Sequence, residues 1–161
     1  MAPAAYYRRR KGDILLRTDD AVNRYLDRLK ARSIEEARKF IRKINSSISN
    51  NELIIWGISL KNDPKLIGTI CYWNISRENN TAETGYELLP AYQGKGIMQE
   101  ALAKVIRYGF DTMKLHTIEA FANADNKQSA DLLTKLRFTR DTLLENKLQE
   151  KKNTRIRLFT P

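Results

Sequence analysis

Gly85-Tyr86-Glu87-Leu88-Leu89-Pro90-Ala91-Tyr92-Gln93-Gly94-Lys95-Gly96-Ile97-Met98 decides how the chain is read. Residues 82–89 form a short run with β character, and Pro90 ends it. After Gly96 the period changes. Met98, Ala101, Leu102, Val105, Ile106, Phe110 and Met113 recur at steps of three and four, the stripe of an amphipathic helix. Gln93-Gly94-Lys95-Gly96 therefore sits between a strand and the first turn of a helix. Glycines there let backbone amides face outward, and a helix start adds unpaired N–H groups and the positive end of the dipole. Such a junction suits a phosphate or pyrophosphate, and Lys95 adds positive charge. It is not a phosphate loop of the Walker type, because no Ser or Thr follows Gly94-Lys95. It is not a dinucleotide fingerprint either, because Gln99 stands at the third glycine.

Working outward, Thr117-Ile118-Glu119-Ala120-Phe121-Ala122 is a strand, so strand, helix and strand make a crossover with residues 82–89 and 117–123 parallel. Upstream, residues 53–60 and 66–73 read as two strands around a Lys61-Asn62-Asp63-Pro64-Lys65 turn. With 82–89 they form an antiparallel meander. Downstream, Asp125-Asn126 caps a helix carrying Ala130, Leu132, Leu133 and Leu136. Residues 138–144 and 155–160 pair as a closing β-hairpin across a charged connector, 145–153. Towards the amino terminus, Ser33-Ile34-Glu35-Glu36 is a capping box opening a helix to about Ser47. Residues 13–17 suit a short strand and 19–29 a short helix. The expected class is mixed α/β (α+β): meander, βαβ crossover, closing hairpin.

At 161 residues the chain suits one domain. The expected layout is a basic arm at 1–12 and a single domain at 13–161. Hydrophobic residues make up 42% and charged residues 30%, which excludes a disordered chain. No run approaches the ~20 apolar residues of a membrane span, and no signal peptide is visible. Cys71 and His116 are the only residues of their types, which leaves no cysteine or multi-histidine metal site and points to the cytoplasm. The net charge of +10 is uneven: residues 1–43 hold 13 Lys/Arg and 6 Asp/Glu, and the remainder is nearly balanced. Arg8-Arg9-Arg10-Lys11 is the densest point. It reads as a solvated terminus or as an arm for RNA, the ribosome or another polyanion.

The order of words along the chain resembles the GCN5-related N-acetyltransferases (GNAT), in the branch that acetylates ribosomal-protein N-termini. Gln93-Gly94-Lys95-Gly96-Ile97-Met98 is similar to that family's motif A, with Met98 in place of a final small residue. Gly85-Tyr86-Glu87-Leu88, Glu100-Ala101, Tyr108-Gly109-Phe110, Ile118-Glu119-Ala120 and Asn126-Lys127-Gln128-Ser129 follow in family order over roughly residues 33–161. Leu136-Arg137-Phe138 departs from the usual Leu-Gly-Phe.

The resemblance implies acetyl-CoA as cosubstrate, lying where two parallel strands splay. By this reading the backbone of Leu88 and Leu89 pairs with the pantetheine arm. Gln93 and the amides of Gly94, Lys95, Gly96, Ile97 and Met98 hold the pyrophosphate. Asn126 holds the arm from the other side, and Ser129 lies near the sulfur. Acetyl passes directly to a primary amine, either a protein N-terminal α-amine or a small amine. Glu87 or Glu83 serves as base, Glu87 being nearer the cofactor segment. No metal is implied, and the assembly is a monomer or homodimer. Two other functions compete: a basic RNA- or ribosome-binding module, and a sensor that binds CoA without turnover.

Overall fold

The computed structural model describes residues 15–26, 33–140 and 153–160. A six-stranded sheet organises it, in the order β1-β2-β3-β4-β6-β5. The strands are β1 (Ile54–Leu60), β2 (Asp63–Ser76), β3 (Thr81–Leu88), β4 (Thr117–Asn123), β5 (Thr139–Arg140) and β6 (Asn153–Phe159). Among the described residues the helices are α1 (Asp20–Asn23), α2 (Ile34–Ser49), α3 (Ile97–Asp111) and α4 (Lys127–Lys135), besides a short helical stretch at 15–18 and a 3-10 turn at Pro90–Tyr92. β3 and β4 are parallel, and the other neighbouring pairs are antiparallel. The expected mixed sheet is therefore present, with β6 inserted between β4 and β5.

Three local readings are corrected. The first turn is only Lys61-Asn62, because Leu60 already pairs with Asp63 and Pro64 lies near the start of β2. β2 runs past Trp73 to Ser76 through a register shift, where Asn74 takes a positive φ of 46°. Residues 15–17, the described part of the stretch expected as a strand at 13–17, are helical together with residue 18. There Leu16 is buried while Leu15 is exposed, a pattern that four residues cannot assign to either period. Asp19 then caps α1 by accepting from the Val22 amide at 2.9 Å. Residues 1–14, which include the basic cluster, and residues 141–152, which hold the end of the expected strand 138–144 and most of the expected connector 145–153, lie outside the described residues; Asn153, expected in the connector, already belongs to β6.

The main core packs the sheet against two helices, and a second, smaller cluster joins Leu16, Val22 and Leu66. Ile70 and Tyr72 of β2, Ala82 of β3, and Ile118 and Ala120 of β4 meet Met98, Leu102 and Val105 of α3 and Leu133 of α4. Gly109 is buried in the last turn of α3. A Cβ there would stand 2.6 Å from the Tyr72 hydroxyl, which donates to the Val105 carbonyl at 2.9 Å. The glycine thus lets helix and sheet approach closely. α4 ends in a Schellman turn: the Phe138 amide donates to Leu133 O at 3.0 Å and the Arg137 amide to Thr134 O at 2.9 Å. Arg137 takes the left-handed position at φ 65°.

Candidate active site

The parallel pairing of β3 with β4 runs from Thr81↔Thr117 to Thr84↔Ala120 and stops. Both strands continue, β3 to Leu88 and β4 to Asn123, so they part in a fork. Leu89 donates its amide to Ile67 O of β2 at 2.8 Å. Alternation along an extended strand then turns the peptide groups of Tyr86 and Leu88 toward the open side. The Leu88 carbonyl there accepts from Gln93 Nε2 at 2.8 Å.

A cleft of about 390 Å³ opens at this fork. One wall is Tyr86, Glu87 and Leu88 with Tyr92 and Gln93; the floor is Gly94 and Gly96 to Gln99. Asn126, Gln128, Ser129, Asp131, Leu132 and Lys135 of the α4 segment face it, and Ala21, Val22, Tyr25 and Leu26 close one side. Gly94 and Gly96 have φ of +72° and +75°, and a Cβ on either would meet nothing within 4 Å. Gly96 is the N-cap of α3 and has no side chain to offer, so the Ile97, Met98 and Gln99 amides have no partner within the helix. Glu100, in that first turn, pairs with Lys104 at 2.7 Å, and this holds its carboxyl below the usual range.

Of the residues singled out from the sequence, the fork gathers Glu87, Leu88, Gln93, Gly94, Gly96, Ile97, Met98, Asn126 and Ser129. Asn126 Oδ1 accepts from the Ser129 amide at 3.1 Å, as an N-cap does. Three residues lie outside the lining. Leu89 has its amide on β2; Lys95 is exposed, 5.9 Å from the Tyr92 ring; Glu83 lies where the strands are still paired. The Glu83 carboxylate accepts from Asn74 Nδ2 at 3.0 Å, whereas Glu87 Oε1 accepts from the Thr69 hydroxyl at 3.0 Å. The sequence puts both glutamates on one strand face with Glu87 nearer the cofactor segment, and strand register separates them.

Tyr86 was not singled out from the sequence as a site residue. Its hydroxyl lies 2.7 Å from Ser129 Oγ, and burial pushes its pKa up to about 12. The available signal was that a buried tyrosine hydroxyl needs a partner. The wall at residues 21–26 had no such signal, because its periodicity is weak.

Among the described residues no helix is long and apolar enough to cross a membrane. A family model, the Acetyltransferase (GNAT) domain, matches residues 8–139. The chain is 33% identical over 127 residues to the uncharacterized N-acetyltransferase YoaA of Bacillus subtilis, covering 79% of this chain and 72% of that protein. It is 32% identical over 99 residues to the [Ribosomal protein uS5]-alanine N-acetyltransferase of Escherichia coli, covering 61% and 51%. It also resembles a solved structure of spermidine N-acetyltransferase from Vibrio cholerae in complex with CoA and spermine. That match has a TM-score of 0.75 at 17% identity and covers 92% of this chain and 90% of the other.

Proposed function

The chain belongs to the GNAT acetyltransferase family, an acyl-transferring enzyme family, and on that premise we propose that it moves acetyl from acetyl-CoA directly to a primary amine. The favoured acceptor is a protein N-terminal α-amine, in line with the relative that acetylates ribosomal protein uS5. A small amine is the alternative, as the spermidine enzyme illustrates.

One observation carries this reading: β3 and β4 separate beside a helix start whose amides have no partner within the helix. The residues present fit the cosubstrate. The left-handed Gly94 and Gly96 leave open space above the amides of Ile97 to Gln99, where a diphosphate is held by hydrogen bonds and by the helix dipole. Leu88 offers its peptide group to the pantetheine arm, and Gln93 steadies the Leu88 carbonyl. When bound, acetyl-CoA supplies the activated acetyl group.

The remaining chemistry belongs to side chains. An α-amine has a pKa of about 7.7–8.0 and is largely protonated at neutral pH. Glu87, oriented by Thr69, takes that proton directly or through one water. Ser129 lies at the cleft side of α4, where its hydroxyl meets the leaving sulfur. Cys71 is outside the lining, bonded to Gly85 O, so direct transfer needs no cysteine nucleophile.

The test is incubation with acetyl-CoA and a panel of N-terminal peptides and amines, reading released thiol. Release with at least one acceptor, reduced at least tenfold in Glu87→Gln, is the expected result. Acetyl-CoA binding with no release for any acceptor makes the protein a sensor. Absence of acetyl-CoA binding, alongside salt-steep RNA affinity that is lost when residues 1–11 are deleted, makes it a nucleic-acid module.

A further inference from the structure

We propose that Tyr86 is a positioning residue for Ser129: it holds the serine hydroxyl so that its hydrogen points at the thioester sulfur. This rests on the transferase reading above. Tyr86 comes from β3 and Ser129 from the first turn of α4, and their oxygens are 2.7 Å apart across the cleft wall. A serine in a helix readily turns its hydroxyl back to a carbonyl three or four residues earlier. That rotamer takes the hydrogen away from the cleft. The Ser129 amide is already committed to Asn126 Oδ1, so the rotation of the hydroxyl is the one open degree of freedom. Tyr86 settles it by donating to Ser129 Oγ. The tyrosine hydrogen is then spent, and the serine hydrogen is left for the sulfur. Burial keeps the Tyr86 phenol protonated well past neutrality, so the donor persists throughout the working range.

The step balances without moving a proton along this pair. The amine lone pair forms the C–N bond, and the proton shed by the amine goes to Glu87 or to water. The C–S bond breaks, and its electron pair leaves on sulfur as a thiolate. A thiol has a pKa of about 8.5, so its thiolate is too weak a base to strip serine or tyrosine. It accepts a hydrogen bond from Ser129, strengthened because the acceptor is charged. Tyr86 touches Ser129 and acts through it.

The experiment compares wild type, Tyr86→Phe, Ser129→Ala and the double variant; the phenylalanine keeps the ring that packs against the core. The first measurement needs no turnover: the thiol of bound CoA is titrated by its ultraviolet thiolate absorbance. Its pKa is expected to rise by about one pH unit in either single variant, and no further in the double. In steady-state kinetics, kcat falls about tenfold in each single variant while the KM for acetyl-CoA stays within about twofold, and the double equals Ser129→Ala. A Tyr86→Phe enzyme that titrates and turns over as wild type overturns the proposal, as do losses that multiply in the double. If wild type releases no thiol with any acceptor yet the titration shifts as described, the transferase reading falls and the pairing stands. If wild type turns over and Tyr86→Phe changes neither readout, the transferase stands and the pairing falls.

Discussion

Arg137 shows what one residue can reveal and conceal. Leu136-Arg137-Phe138 marks it as unusual by sequence, since glycine commonly closes such a turn. The arginine nonetheless adopts the conformation glycine would, at φ 65°, and both Schellman bonds form around it. A side chain in the left-handed region costs about 1–2 kcal/mol, while glycine gives some of this back through a looser unfolded chain. Arg137→Gly should therefore raise unfolding stability by up to about 1 kcal/mol in urea, with acetyl-CoA affinity unchanged. Loss of stability in that variant would mean that the arginine side chain makes a contact worth more than the strain. Glu83 and Glu87 mark the opposite limit. Period two puts both on one face, and only the point where pairing with β4 ends decides which of them reaches the cleft.

At the scale of elements, most of what positions the site was readable. The stripe of α3 and the strands on either side follow from periods of 3.6 and 2, and Ser33 and Asn126 announce their helices by capping chemistry. The fork was not readable by period, because a strand that parts from its neighbour keeps the same alternation. Residues 15–17 misled because so short a stretch carries no period at all. Gly109 was hidden within the α3 stripe, although its lack of a side chain sets how near that helix lies to the sheet. Gly109→Ala would gain about 1 kcal/mol of helix propensity. It would also drive a methyl against the Tyr72 hydroxyl at 2.6 Å and disturb the bond to Val105 O. Overpacking of this kind costs about 1–3 kcal/mol, so the net change should be destabilising and visible as a lower urea midpoint. An unchanged or higher midpoint would show that the helix can back away without loss.

For the whole molecule, two tyrosines on the core face of the sheet tie folding to alkaline pH. Burial pushes Tyr72 upward and Tyr86 to about 12, from an ordinary value of 10.0. Between those values the unfolded chain sheds phenolic protons that the folded chain keeps, so unfolding is increasingly favoured. The stabilising contribution is complete below about pH 10 and disappears as pH climbs toward about 12. Tm should decline across that interval, and Tyr86→Phe should make the decline shallower; an equal slope in wild type and variant would count against it. The separation of the strands has a further consequence. Tyr86 and Glu87 are adjacent in an extended strand and so lie on opposite faces of the sheet, the first with Ser129 and the second with Thr69. The fork is thus a window through the sheet, with a hydroxyl pair on one sill and a carboxylate on the other. On the proposed reading the thioester and the amine meet at this window, so both must be present before anything happens, which favours a ternary complex and an ordered or random sequential rate law over a ping-pong one.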